Sequence, residues 1–273
     1  MQDQDAGRTN DDVVRAVLSS LLRAPGQQQT GSEAMDGMSR LDRERLLLFG
    51  GFVSKVQHNY LWDQIPETLR LLQASQLELP FFAQFRAELL GDSQPTSSRA
   101  QRSLLALSSL RKFLGSNSRL PHLPILSVLE HEILIDTVQV SALQSDAVRR
   151  VQTQQVSIYR GDAIPAMAPD SHLCCLAYEP ESVIDALHDG KRARRKKTYR
   201  CYQPDAADTP QVSIVELSKV TFAILQSIAG SEPMSAVVEK WALELEVSAQ
   251  MLEVFFVDAF DRGTLIDARA QRA

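Results

Sequence analysis

Residues 46–72 read LLLFGGFVSKVQHNYLWDQIPETLRLL. Leu46, Leu47, Phe49, Phe52, Val53 and Val56 recur at helical spacing, which predicts an amphipathic helix with that stripe turned to a core. Gln57, His58 and Asn59 then place three polar side chains just ahead of Tyr60 and Trp62. Pro66 lacks an amide donor and crowds the turn before it, so the helix is expected to break or restart there. Thr68, Leu69, Leu71 and Leu72 resume the helical pattern. A buried helix, a break and a second helix open a helical domain.

The chain has 273 residues, which favours two domains. Hydrophobic residues make up 44% of it, enough for packed cores. A formal net charge of −5 argues against bulk affinity for nucleic acid. Cys174, Cys175 and Cys201 are too few for a disulfide scaffold. The adjacent pair would point to opposite faces of a strand, and no CxxC pair suggests structural zinc. The N-terminal stretch MQDQDAGRTNDD is polar and acidic, so no secretory signal is expected there. No apolar run is long enough for a membrane span, and a soluble cytoplasmic protein is the expectation.

Outward from the opening stretch, residues 10–23 predict a short helix capped by Asn10, with Val13, Val14, Val17, Leu18, Leu21 and Leu22 as its stripe. Residues 24–39 are turn-rich, so 1–39 reads as an N-terminal helix and linker, a loose extension or a docking arm. Leu77, Leu79, Phe81, Phe82, Phe85, Leu89 and Leu90 predict a helix. Leu104, Leu105, Leu107, Leu110, Phe113 and Leu114 predict another with those residues inward. Ile125, Leu126, Leu129, Ile133 and Leu134 predict a third. Residues 40–147 thus form the expected helical domain.

The pattern changes over 148–273. Strands are expected over 154–160, 171–179, 198–202 and 212–216, with 180–190 either a short helix or an irregular excursion. Three helices follow: 217–229, one opened by Pro233, and one capped by Ser248. A short closing strand is placed at 264–267. The expected fold class is α+β, with an N-terminal helical domain, then a small antiparallel sheet with a winged-helix-like three-helix tail.

Candidate sites compete with plainer readings. His58, Asn59 and Trp62 would contact a partner or a metal, or else form a polar network fixing the kink before Pro66. Glu130, His131 and Glu132 do not complete a zinc-binding HExxH, because position 135 is Ile. No phosphate loop, dinucleotide fingerprint or GxSxG elbow is present, and no catalytic residue is nominated. KRARRKK at 191–197 packs six cations into seven residues. It would meet phosphate or an acidic peptide, or simply be a solvated loop. A DNA-reading winged helix would use about 248–261, which carries no Lys or Arg, whereas phosphate contacts need cations.

FVSKVQHNYLWDQIPETLRLL, then FFAQFRAELLG and LPHLPILSVLEHE, resemble the helical domain of the partner proteins of multinuclear non-haem iron oxidative enzymes. These are the MbnC-like proteins of methanobactin biosynthesis and the related HvfC/BufC-type proteins. The family's pattern falls here on Asn59, Ile65, Pro66, Pro121, Leu123, Leu129 and Glu130. Much of the family has Asp and Arg before that Glu, where this chain has Ile125 and Val128, and His131 stands where Trp is common. The wording HNYLW leans toward the MbnC-like branch. VSIVELSKVTFAILQSIAGSEPMSAVVEKWA is similar to the PqqD-like peptide-recognition element of modified-peptide biosynthesis.

The resemblance implies a non-catalytic accessory subunit that forms a heterodimer with an iron-dependent oxidative enzyme. That enzyme would hold the iron, with no cofactor or metal ligand in this chain. It further implies recognition of a ribosomally made precursor peptide's leader, and cysteine modification by the partner, for example to oxazolone and thioamide. His58, Asn59, Trp62 and Glu130 are the expected partner contacts. An exposed edge strand offers unpaired amides and carbonyls that an added strand satisfies. Val212, Ile214 and Glu216 are the expected edge residues, with Met251 and Phe255 lining a groove, or else part of an ordinary core. The alternative is a winged-helix DNA-binding regulator; a free-standing enzyme is the third class.

Overall fold

The computed structural model describes residues 40–91, 99–116, 121–144, 163–205 and 211–269. The expected helix over 10–23, the linker over 24–39 and the expected strand over 154–160 lie outside them. The fold is α+β, with two small antiparallel sheets and many helices among the described residues. The chain divides into two compact units, Met1–Leu126 and Ser127–Ala273.

In the first unit, α1 (Arg40–Gln57) is followed by α2 (Leu61–Gln64) and α3 (Pro66–Ala74). Ile65 separates the two short helices at φ −135° and ψ 54°, and Pro66 opens α3 at its first position. Proline is suited to that position, because its missing amide would be unpaired there anyway. Next come α4 (Glu78–Gly91) and α5 (Arg99–Gly115). Leu61, Ile65, Leu69, Leu71, Leu72, Phe81, Phe82 and Phe85 are fully or almost fully buried. The Phe81 and Phe85 rings stack with centroids 5.9 Å apart.

Two helices of this unit turn a different face inward from the one expected. On α1, Phe49, Phe52 and Val56 are exposed, while Gly50, Gly51 and Ser54 are buried. The reason is close approach: a Cβ on Gly51 would fall 2.8 Å from the Leu79 carbonyl oxygen and 3.1 Å from the Ala83 nitrogen on α4. The small face lets two helix backbones meet, and Lys55 ties them further by its 2.7 Å ion pair with Glu78. On α5, Leu107, Leu110 and Leu114 are buried as expected, but Leu104 and Leu105 are exposed. Ser103, Ala106 and Ser109 take the inward places instead. The two serine hydroxyls donate to Gln64 and to Glu88, respectively.

The division between units falls inside α6 (His122–Gln144) rather than at 147/148. From Ser127 onward this helix belongs with the second unit, where His131 meets Tyr202. That unit continues with β1 (Pro165–Met167), β2 (His172–Leu176), α7 (Pro180–His188), β3 (Thr198–Pro204) and β4 (Val212–Leu217). It ends with α8 (Lys219–Ser227), α9 (Met234–Leu245), α10 (Ala249–Asp261) and β5 (Leu265–Asp267). The segment left open as helix or excursion is thus helical over α7. The closing strand pairs with β1, a strand the sequence pattern did not reveal.

The larger sheet has the order β2-β3-β4, all antiparallel. The three tail helices and β5 enclose one core of Ile224, Leu225, Val237, Val238, Trp241, Leu252, Phe256, Phe260 and Leu265. Ser218 and Ser248 cap α8 and α10, accepting from the Thr221 and Met251 amides at 3.0 and 3.3 Å. Each cap satisfies a helix-end donor that would otherwise face solvent.

Candidate functional site

The β3–β4 register assigns every side chain of the sheet to a face. Directly opposed residues share a face, and neighbours along a strand alternate. Ile214 is opposite Tyr202 and Glu216 opposite Arg200. His172 and Cys174 on β2 are opposite the same two β3 residues. The first face therefore carries Val212, Ile214, Glu216, Arg200, Tyr202, His172 and Cys174. The second carries Leu173, Cys175, Tyr199, Cys201, Ser213, Val215 and Leu217.

The tail covers the second face: Leu173 and Leu217 pack on its core, and the Tyr199 and Phe222 rings lie 5.1 Å apart. Phe255 packs on that same core. The expected peptide-binding set is thereby divided. Val212, Ile214 and Glu216 look to one side of the sheet, and Phe255 belongs to the body that packs on the other. Met251 is 64% exposed on α10. The β4 residues sharing a face with the tail core are Ser213, Val215 and Leu217.

A polar cluster, which no sequence motif announced, sits on the first face. His131 on α6 has its Nδ1 2.8 Å from the buried Tyr202 hydroxyl. Its Nε2 lies 3.8 Å from Glu181 on α7. Arg200, almost wholly buried, donates to both Glu181 oxygens at 2.8 and 2.6 Å. The two-pronged pair matches the planar guanidinium to the planar carboxylate. Burial holds the His131 pKa below its ordinary value, with the Glu181 charge opposing and the Arg200 charge assisting. Burial also pushes the Tyr202 hydroxyl far up. A neutral histidine, a neutral tyrosine and a neutralised ion pair form a fastening between α6, α7 and β3. Detecting it from sequence needs three segments brought together, and Glu130–His131–Glu132 alone pointed only to a failed zinc motif.

The cysteines are distributed as a strand requires. Cys175 is exposed and Cys174 half-buried, on opposite faces of β2. Cys201 is buried, and desolvation pushes its thiol up to about 11. That disfavours the thiolate a nucleophile needs. Among the described residues, no group of three or more His, Cys, Asp and Glu is placed to hold a metal ion.

The expected partner contacts in the first unit are also separated by burial. His58 is buried, with Nδ1 2.7 Å from the Ser54 carbonyl oxygen and its ring edge-on to Phe85 at 5.0 Å. Burial, assisted by the charges of Arg102 and Arg86, holds its pKa below the ordinary value against the Ser54 bond. His58 thus serves the kink rather than the surface. Asn59 is exposed and Trp62 half-buried. Both line an open depression of about 430 Å³ together with Val56, Gln57, Tyr60, Asp63 and Arg102. Val56 continues into the exposed face of α1, where Leu48, Phe49 and Phe52 also stand clear of the core. Glu130, in the second unit, is half-buried on α6.

No protein-family model, curated protein or solved structure matches the chain. Among the described residues, no helix is long and apolar enough to cross a membrane.

Proposed function

We propose that this chain is a non-catalytic partner subunit acting in the cytoplasm. Its first unit docks an iron-dependent oxidative enzyme, and its second unit holds a ribosomally made precursor peptide for cysteine modification by that enzyme. The observation that carries this reading is the position of β4. It is the last strand of the β2-β3-β4 sheet, and among the described residues no strand pairs with its outer side. Ile214 on it is 39% exposed. An added strand would satisfy the outward backbone groups, and alternate side chains would set selectivity.

The exposed stripe Leu48, Phe49, Phe52 and Val56, with the depression beside it, supports the docking half of the proposal. A scattered apolar side chain needs no explanation, but a contiguous stripe on one helix face marks an interaction surface. The contribution to catalysis is positional, since holding the peptide beside the enzyme raises the effective concentration of the reacting residue. The DNA-regulator alternative would read through α10, whose charged residues are Glu253, Asp258 and Asp261.

Co-expression with a candidate iron-dependent oxidative enzyme and precursor peptide, sought in the adjacent reading frames, tests the proposal. The three are expected to co-purify, and the enzyme alone is expected to modify the peptide poorly. A chain that elutes by itself, with an enzyme equally active in its absence, overturns the reading.

A further inference from the structure

The segment Lys191–Lys197 lies between α7 and β3 and carries six cations, but they are not equivalent. Lys191 pairs with Asp189 at 2.8 Å and Lys196 with Glu179 at 2.8 Å. Lys197 sits over the Tyr199 ring, 5.4 Å from its centroid. Arg192, Arg194 and Arg195 are exposed and make no ion pair with any described residue. Among the described residues, local acids thus match Lys191 and Lys196 and form no ion pair with the three arginines. Arginine's fixed fork suits a carboxylate better than a lysine does.

The loop's place in the sheet gives those arginines a direction. It runs straight into Thr198, opposite Leu176, and Tyr199, opposite Leu217. The arginines therefore stand at the end of the sheet where β4 finishes. The charge of Glu216 on β4 is among the influences that raise the Lys196 pKa, after the Glu179 bond. A strand added antiparallel to β4 would enter at the Leu217 end, two strand spacings or about 10 Å from β3. The residues just ahead of it would then meet the arginine loop.

We propose that Arg192, Arg194 and Arg195 recognise acidic residues lying immediately N-terminal to the segment of a peptide that pairs with β4. This rests on the strand-addition reading above and adds the chemistry and polarity of the peptide. The cations without a described acid partner are three arginines on one short loop, which suits a short acidic run better than the extended charge track of duplex DNA.

The test is fluorescence anisotropy on the full chain with three labelled synthetic peptides. All share one alternating Thr/Val segment. One carries a glutamate run before it, one carries the run after it, and one has Gly/Ser flanks. The glutamate-headed peptide is expected to bind about tenfold more tightly than the Gly/Ser peptide, with an advantage that fades as salt rises. The variant Arg192→Gln/Arg194→Gln/Arg195→Gln is expected to lose that advantage and keep the Gly/Ser peptide's affinity. Equal binding of the headed and tailed peptides, or an unchanged preference in the triple variant, overturns the inference while strand addition stands. Failure of all three peptides to bind overturns both. Duplex DNA or anionic vesicles outcompeting the headed peptide would assign the loop to another partner and overturn the inference alone.

Discussion

His131 and His58 are both buried histidines whose folded environments favour the neutral ring, one in each unit. Their folded pKa values lie below the ordinary 6.5. Wherever the unfolded chain binds more protons than the folded one, stability falls as pH falls. The contribution of each is therefore fully present above 6.5 and is lost as the pH drops from there through the depressed folded value. Urea unfolding across a pH series is expected to show this loss on the acid side. His131→Gln, which cannot take up the proton, is expected to reduce the pH slope of the second unit. An unchanged slope would show that His131 protonates freely in the fold and that the Tyr202–Glu181–Arg200 cluster does not oppose it. His131 reads in the sequence as a histidine between two glutamates. Only the packing of α6 against β3 makes it the partner of Tyr202.

At the scale of the element, α1 is the clearest case of composition misdirecting a face assignment. Its large apolar residues form a helical stripe, but its small ones form another, and the two cannot both face α4. Contact through Gly51 brings the backbones so near that a Cβ meets the Leu79 carbonyl oxygen at 2.8 Å. Gly51→Ala gains helix propensity of up to about 1 kcal/mol. Overpacking against backbone costs about 1–3 kcal/mol, so a net loss is expected. Thermal melting checks this, and a stabilised variant would mean that α1 turns the large stripe inward. The tail helices were legible because their signals are local. Ser248 caps α10 as expected, Gly263 ends it at φ 71°, and the buried residues recur at helical spacing. β1 was not legible, since its three residues owe their strand character to pairing with β5 nearly a hundred residues later.

At the scale of the whole molecule, the proposed function gives the two units different tasks, docking through the exposed α1 stripe and strand addition at β4. Replacing Phe49 and Phe52 together by Ser is expected to cost no more than about 3 kcal/mol, because each ring is already about half exposed and forfeits only part of a burial contribution. The same variant is expected to weaken co-purification of the enzyme while leaving peptide binding intact. Retention of the enzyme at wild-type levels would place its docking surface elsewhere. From the residues alone followed the α+β class, the restart at Pro66, the strands β2, β3 and β4 and the three-helix tail. Each of these depends on neighbours within a turn or a strand's length. Which face of α1 and α5 is buried, where the units divide, how β4's side chains relate to Phe255, and which cations of the basic run lack an ion pair with any described residue were decided only by tertiary structure. Those outcomes depend on contacts between segments far apart in the chain, where backbone approach and charge matching compete with hydrophobic periodicity and prevail.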